Sequence, residues 1–125
     1  MALPPTPDGV ELKPSAIHGI GAFATQSFLA EQRIGDYVGI KMLKSEFRRQ
    51  YGSDIQYVYW TRMNYPNSYV WVAKGEHRNF ITYINESNTP NVYLKSRVLY
   101  ASKNIRVGDE LFLKYDAKYP RDYEL

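Results

Sequence analysis

The chain has 125 residues, of which 44% are hydrophobic and 23% charged, a balance that fits one folded domain with a single main core and excludes a disordered tail. It has no cysteine, which excludes disulfides and thiolate zinc sites, and no run of about 18 apolar residues that would cross a membrane as a helix. Its net charge of +3 comes from basic residues scattered among acids, as in "LKSEFRRQ", so direct nucleic-acid binding is not expected.

Residues 1–9, "MALPPTPDG", are Pro-rich and read as a flexible lead. No basic-then-apolar leader opens the sequence, which makes an intracellular protein the expectation and Asn85-Glu86-Ser87 an accidental sequon. "VELKPSAIHGIGAFATQSFL" and "RIGDYVGIKM" read as two segments of strand character separated by a charged turn. Inside the first, "GIGAFA" satisfies the dinucleotide fingerprint G-x-G-x-x-A. The context rejects it, because no buried strand precedes it and no long helix follows. Its glycines mark a tight turn where backbone is approached closely.

"LKSEFRRQYG" places Leu43, Phe47 and Tyr51 at a spacing of four with Gly52 as a stop, and predicts one short amphipathic helix. "IQYVYWTRM" and "SYVWVA" crowd aromatic and β-branched residues and predict strands around the turn "NYPNS". "NFITYIN" is too short to choose between helical turn and strand. After the polar stretch "YINESNTPNVY", the segment "VYLKSRVLYAS" reads as another strand, and "ELFLKYD" as a last one beyond the turn "IRVGD". Alternation along it puts Leu111, Leu113 and Tyr115 on one face, so the phenol ends an apolar wall. Such a wall suits a reaction channel and an ordinary core tyrosine alike. The sum is a mainly β domain with short helices, unusually rich in tyrosine, with 12.

Several chemistries lack their residues. His18 and His77 are the only histidines and have no metal-ligand spacing, so no metal site is expected, and Glu76-His77 reads as a solvent-facing turn. Neither a G-x-S-x-G elbow nor a thiol is present, which leaves hydrolysis without a nucleophile.

Four short motifs remain: Gly19-Ile20-Gly21, Tyr37-Val38-Gly39, the loop Asn85-Glu86-Ser87-Asn88-Thr89-Pro90-Asn91, and Gly108-Asp109-Glu110-Leu111 with Tyr115. In this order they resemble the SET-domain lysine methyltransferases, whose pattern runs G-x-G, Tyr-x-Gly, N-H-S-C-x-P-N and G-E-E-L-x-x-x-Y. "SYVWVAKGEHRNFITYIN" follows the family's intervening run, with Asn79, Tyr83, Ile84 and Asn85 in register. The likeness spans residues 10–116, leaving 117–125 as a tail. Departures are Glu86 for the usual His, Asn88 for Cys, Val72 for an acid, Thr82 for Arg and Lys114 for Asp, and the cysteine-rich flanking modules of many members are absent.

The resemblance implies a β-clip-type fold of several small sheets with a knot-like C-terminal crossing. It implies methyl transfer from S-adenosylmethionine to a lysine of a protein or peptide, a histone tail being the family's commonest target. Tyr115 would be the phenol at the reacting centre, with Tyr37 and Tyr93 lining the lysine channel. The cofactor would meet Gly19, Ile20 and Gly21, Tyr57, the Asn85 amide and the backbone of Glu86; the tail either lays Tyr119 or Tyr123 over the adenine or is a frayed end. Leu113 stands where the family often carries an aromatic that limits methylation, which predicts more than one methyl per lysine. The protein would be nuclear if histone-directed and cytoplasmic otherwise, as a monomer or homodimer. Two alternatives stand beside this one: a degenerate domain of the same fold that binds cofactor or peptide without catalysis, and an unrelated β-rich module whose tyrosines bind protein or single-stranded nucleic acid.

Overall fold

The computed structural model of the protein describes residues 3–54, 56–59 and 68–114. Strands β1 (Val10–Pro14) and β2 (Ile20–Ala24) form an antiparallel hairpin in which Val10 faces Ala24 and Pro14 faces Ile20. The sequence reads this stretch as one segment, but Pro14 ends the first strand and a turn follows, closed by the Ser15 N–H on the Gly19 carbonyl at 2.7 Å. No helix follows the glycines, in keeping with rejection of the dinucleotide fingerprint.

"RIGDYVGIKM" also divides, into β3 (Arg33–Asp36) and β4 (Ile40–Leu43), which belong to different sheets. The chain changes sheet across Tyr37-Val38-Gly39. A Cβ on residue 39 would lie 2.8 Å from the Val72 carbonyl oxygen, so only glycine permits the two backbones to meet there. The predicted helix is present as α1 (Lys44–Tyr51), with Phe47 fully buried, its ring 5.3 Å from that of Tyr51, and the chain leaving at Gly52. Phe47 joins Val58, Val70 and Val72 in a satellite cluster between α1, β5 (Val58–Tyr59) and β6 (Tyr69–Val72). The sheet order there is β4, β6, β5.

Asn79 decides the ambiguous "NFITYIN" in favour of a helical turn. Its side-chain oxygen accepts from the N–H groups of Ile81 at 3.0 Å and Thr82 at 3.2 Å, capping a 3₁₀ turn over Phe80–Tyr83. Its amide nitrogen donates to the Val38 carbonyl at 2.6 Å, tying this turn to the sheet change. The short strand β7 (Asn85–Glu86) follows.

A third segment divides in the same way. "VYLKSRVLYAS" is two strands, β8 (Val92–Lys95) and β9 (Val98–Ala101), paired antiparallel around a two-residue turn. Ser96 and Arg97 occupy that turn at φ 50° and 63°, positions normally given to Asn and Gly, and the sequence carries no such signal. These strands form the sheet β3–β9–β8. The last strand, β10 (Phe112–Leu113), runs parallel to β7, pairing Phe112 with Asn85 and Leu113 with Glu86. Leu111 and Leu113 are buried, as the alternation requires, in the main core with Phe28, Phe80, Leu94 and Leu99. Among the described residues, the architecture is thus several small sheets with one helix and short 3₁₀ turns, as the resemblance implies.

Candidate active site

Three of the sequence motifs are joined edge to edge. On one side of the closing segment 108–111 lies β2: Gly108 N–H donates to the Ala24 carbonyl, Ala24 N–H to Asp109 and Leu111 N–H to Ala22, each at 2.8 Å. On the other side lies the asparagine loop. Asn91 imitates a strand with its side chain, donating from Nδ2 to the Glu110 carbonyl at 2.9 Å and accepting from Phe112 N–H at 2.7 Å. Ser87 N–H adds a bond to the Leu113 carbonyl at 2.8 Å. The loop also braces itself, since Ser87 Oγ accepts from Thr89 N–H at 3.0 Å. Glu86 and Asn88, its two unusual letters, are exposed.

Where the motifs meet, Glu110 organises the polar groups. Ser15 Oγ lies 2.9 Å from both of its carboxylate oxygens, and Asn85 Nδ2 lies 2.9 Å from Oε2. The same nitrogen faces the His18 carbonyl at 3.1 Å and Ser15 Oγ at 3.3 Å. A carboxylate, a carbonyl and a hydroxyl oxygen therefore surround the NH₂ of Asn85, which orients the amide. Its acceptor oxygen is what Asn85 has left to offer a ligand. A side chain at residue 21 would collide with the Glu110 carboxylate, so this cluster also explains the second glycine of the G-x-G turn. Gly19, by contrast, is exposed with open space where a side chain would point. Ile20, half-buried, sits between them opposite Pro14.

The tyrosines distribute among three places. Tyr37 is buried in the core, its ring 5.7 Å from that of Tyr59, and Tyr59 in turn meets Trp71 edge-on at 6.1 Å. An open cavity of about 400 Å³ lies over this row, lined by Tyr37, Gly39, Trp71, Ser96 and Arg97 among others. Tyr93 does not share that cavity. Val92 and Leu94 face the core, so Tyr93 emerges on the other face of β8, where its ring stacks on Tyr100 at 5.5 Å. Its hydroxyl donates to the Glu31 carboxylate at 3.1 Å. Desolvation, and then the bond and charge of Glu31, push this phenol above its ordinary pKa of 10.0, so it stays a protonated donor. Tyr57, at φ 62°, packs its ring 4.0 Å from the Arg78 guanidinium, which also lies 3.8 Å from the ring of Tyr83. Tyr115, Tyr119 and Tyr123 lie outside the described residues.

Among the expected site residues, the structure therefore brings Gly19 to Gly21, Asn85 and, beside it on β7, Glu86 to one place. Sequence reasoning gave no role to Ser15 or Glu110. Glu110 had one visible signal, a carboxylate set immediately before the buried run of Leu111 and Leu113, where an acid needs a partner. The Trp71 and Arg97 pair gave no local sign.

A family model described as the SET domain matches residues 19–116. Among solved structures, a Plasmodium falciparum protein provisionally assigned as a histone methyltransferase superposes with a TM-score of 0.63 at 20% identity, covering 90% of this chain and 96% of that one. A humanized mutant of the Chaetomium thermophilum Polycomb Repressive Complex 2, bound to an inhibitor, superposes with a TM-score of 0.68 at 23% identity, covering 95% of this chain and 16% of that one. At these identities the likeness shows the fold. No protein of curated function matches the sequence significantly.

Proposed function

The chain belongs to the SET-domain family, and from that premise we propose that it is a protein-lysine N-methyltransferase that uses S-adenosylmethionine. The observation that carries this reading is the meeting of the glycine turn, the asparagine loop and the closing segment around Asn85 and Glu110. Bound S-adenosylmethionine supplies an activated methyl on a sulfonium and presents an ammonium and a carboxylate at its amino-acid end. The residues fit such a group: the orientation of Asn85 leaves an acceptor for the ammonium, and the open space at Gly19 admits the backbone approach. Glu86 would contribute through its backbone, so its unusual side chain need not remove the site.

Methyl transfer by in-line displacement asks the protein to align a neutral amine and keep it dry. In this reading Tyr37, buried and backed by Tyr59, forms part of the wall that receives the lysine. Tyr115, one residue past Lys114, is the phenol at the reacting centre. Tyr57 and Tyr93 keep their proposed roles only through rearrangement, because their rings pack on Arg78 and Tyr100.

Calorimetric titration with S-adenosylmethionine, followed by transfer of labelled methyl to lysine-containing proteins, tests the proposal. Saturable binding with transfer is the expected result. Binding without turnover by folded protein would leave only the degenerate-domain alternative, and no binding would remove the enzyme and leave that alternative only as a peptide binder.

A further inference from the structure

The turn between β8 and β9 holds an arginine where the backbone disfavours one. Ser96 and Arg97 are both left-handed, at φ 50° and 63°, a region in which a residue with a side chain is strained. Two contacts hold Arg97 in place. Its carbonyl accepts the Tyr37 N–H at 2.8 Å, and its guanidinium lies 4.2 Å above the Trp71 ring. Contact with the ring satisfies none of the guanidinium's N–H donors by a hydrogen-bond acceptor in the ring plane and leaves them for another group. Among the described residues, no carboxylate pairs with Arg97. Asp36, the acid that lines the same cavity, is held by Arg33 at 2.6 Å. A second cation, Lys41, lies 5.9 Å from the same Trp71 ring. Among the described residues, the cavity beside Tyr37 is therefore bordered by a guanidinium that no carboxylate pairs.

We propose that this cavity receives an acidic side chain, Asp or Glu, of the substrate peptide near the methylated lysine, with Arg97 binding its carboxylate. The inference rests on the methyltransferase reading, because it takes Tyr37 as part of the lysine's entry. It departs from a strongly basic tail as the preferred target. A bidentate carboxylate pair on an arginine held over an aromatic ring has the geometry and the partial desolvation that give such pairs selectivity. Positive charge at Arg97 and Lys41 repels a peptide with basic flanks.

The test is fluorescence anisotropy with labelled peptides of equal length, each with one central lysine and with acidic, neutral, basic or phosphoserine flanks, in saturating S-adenosylmethionine. The acidic peptide should bind the full chain about tenfold more tightly than the neutral one, the scale of one charge-assisted pair. Arg97→Asn, chosen because Asn tolerates left-handed backbone, should bring that ratio to within about twofold without lowering the melting temperature. Arg97→Lys should keep part of it. Should Arg97→Asn misfold, a salt titration of the unaltered protein serves, since the preference must shrink as ions screen the pair. Equal binding of all peptides, preference for basic or only phosphorylated flanks, or a preference that survives in Arg97→Asn would overturn the proposal. Methyl transfer in a parallel assay separates the two claims: transfer without acidic preference defeats this inference alone, and acidic preference without transfer defeats the enzyme alone.

Discussion

Asn85 shows how one side chain acquires a function from its neighbours. With its NH₂ held between Glu110, His18 and Ser15, the amide keeps its oxygen as an acceptor, which the proposed function gives to the cofactor. Asn85→Ala should therefore weaken S-adenosylmethionine binding about tenfold or more, on the scale of one hydrogen bond to a charged group. Glu110→Ala should lower it by a similar factor with Asn85 intact, because the amide loses the carboxylate that orients it. Calorimetry checks both, and unchanged affinity in Glu110→Ala would show that the carboxylate does not set the amide. Gly21→Ala should lower the melting temperature by several degrees, since the added methyl meets that carboxylate. Asn85 was legible in the sequence because it lies in a motif of recognisable order. Glu110 was legible only as an acid in need of a partner, because that partner, Ser15, stands 95 positions away. No local pattern encodes that proximity.

At the level of elements, what the sequence concealed was turns built without the usual residues. The helix of residues 44–51 was readable because Leu43, Phe47 and Tyr51 keep a regular spacing and Gly52 ends it. The hairpin of β8 and β9 was not, because Ser96-Arg97 offers none of the Asn-Gly chemistry that marks a tight turn. The contacts of Arg97 with Tyr37 and Trp71 replace that local preference. Supplying the preferred residues with Ser96→Asn and Arg97→Gly should stabilise the fold by roughly 0.5–1 kcal/mol while abolishing selection for acidic flanks. Urea denaturation and peptide binding measure the two effects separately. In the 3₁₀ turn of Phe80–Tyr83, Asn79 does by side chain what "NFITYIN" could not decide by pattern. Asn79→Ala removes two cap bonds and the bond to Val38 from a buried position and should cost about 2–3 kcal/mol, read from the same denaturation curves.

On the scale of the molecule, the four motifs are scattered over nearly a hundred residues, yet three of them share an edge or a side-chain bond. Their order in the chain was readable and supported a family resemblance, but their contact needs the parallel pairing of β7 with β10 and the bonds of β2 to the closing segment. Such long-range pairings have no signature in local composition. The buried Leu113, in place of a bulkier aromatic, predicts that product lysines carry more than one methyl, which mass spectrometry of a methylated substrate would establish. The central claim is lysine methylation by this chain, with Tyr115 at its centre. Its most direct test compares the unaltered protein with Tyr115→Phe, measuring S-adenosylmethionine binding by calorimetry and transfer of labelled methyl to lysine-containing protein under the same conditions. Binding by both proteins, with transfer by the unaltered one and its loss in Tyr115→Phe, is the predicted result. Folded, cofactor-bound protein that transfers no methyl, or transfer that persists undiminished in Tyr115→Phe, would contradict it.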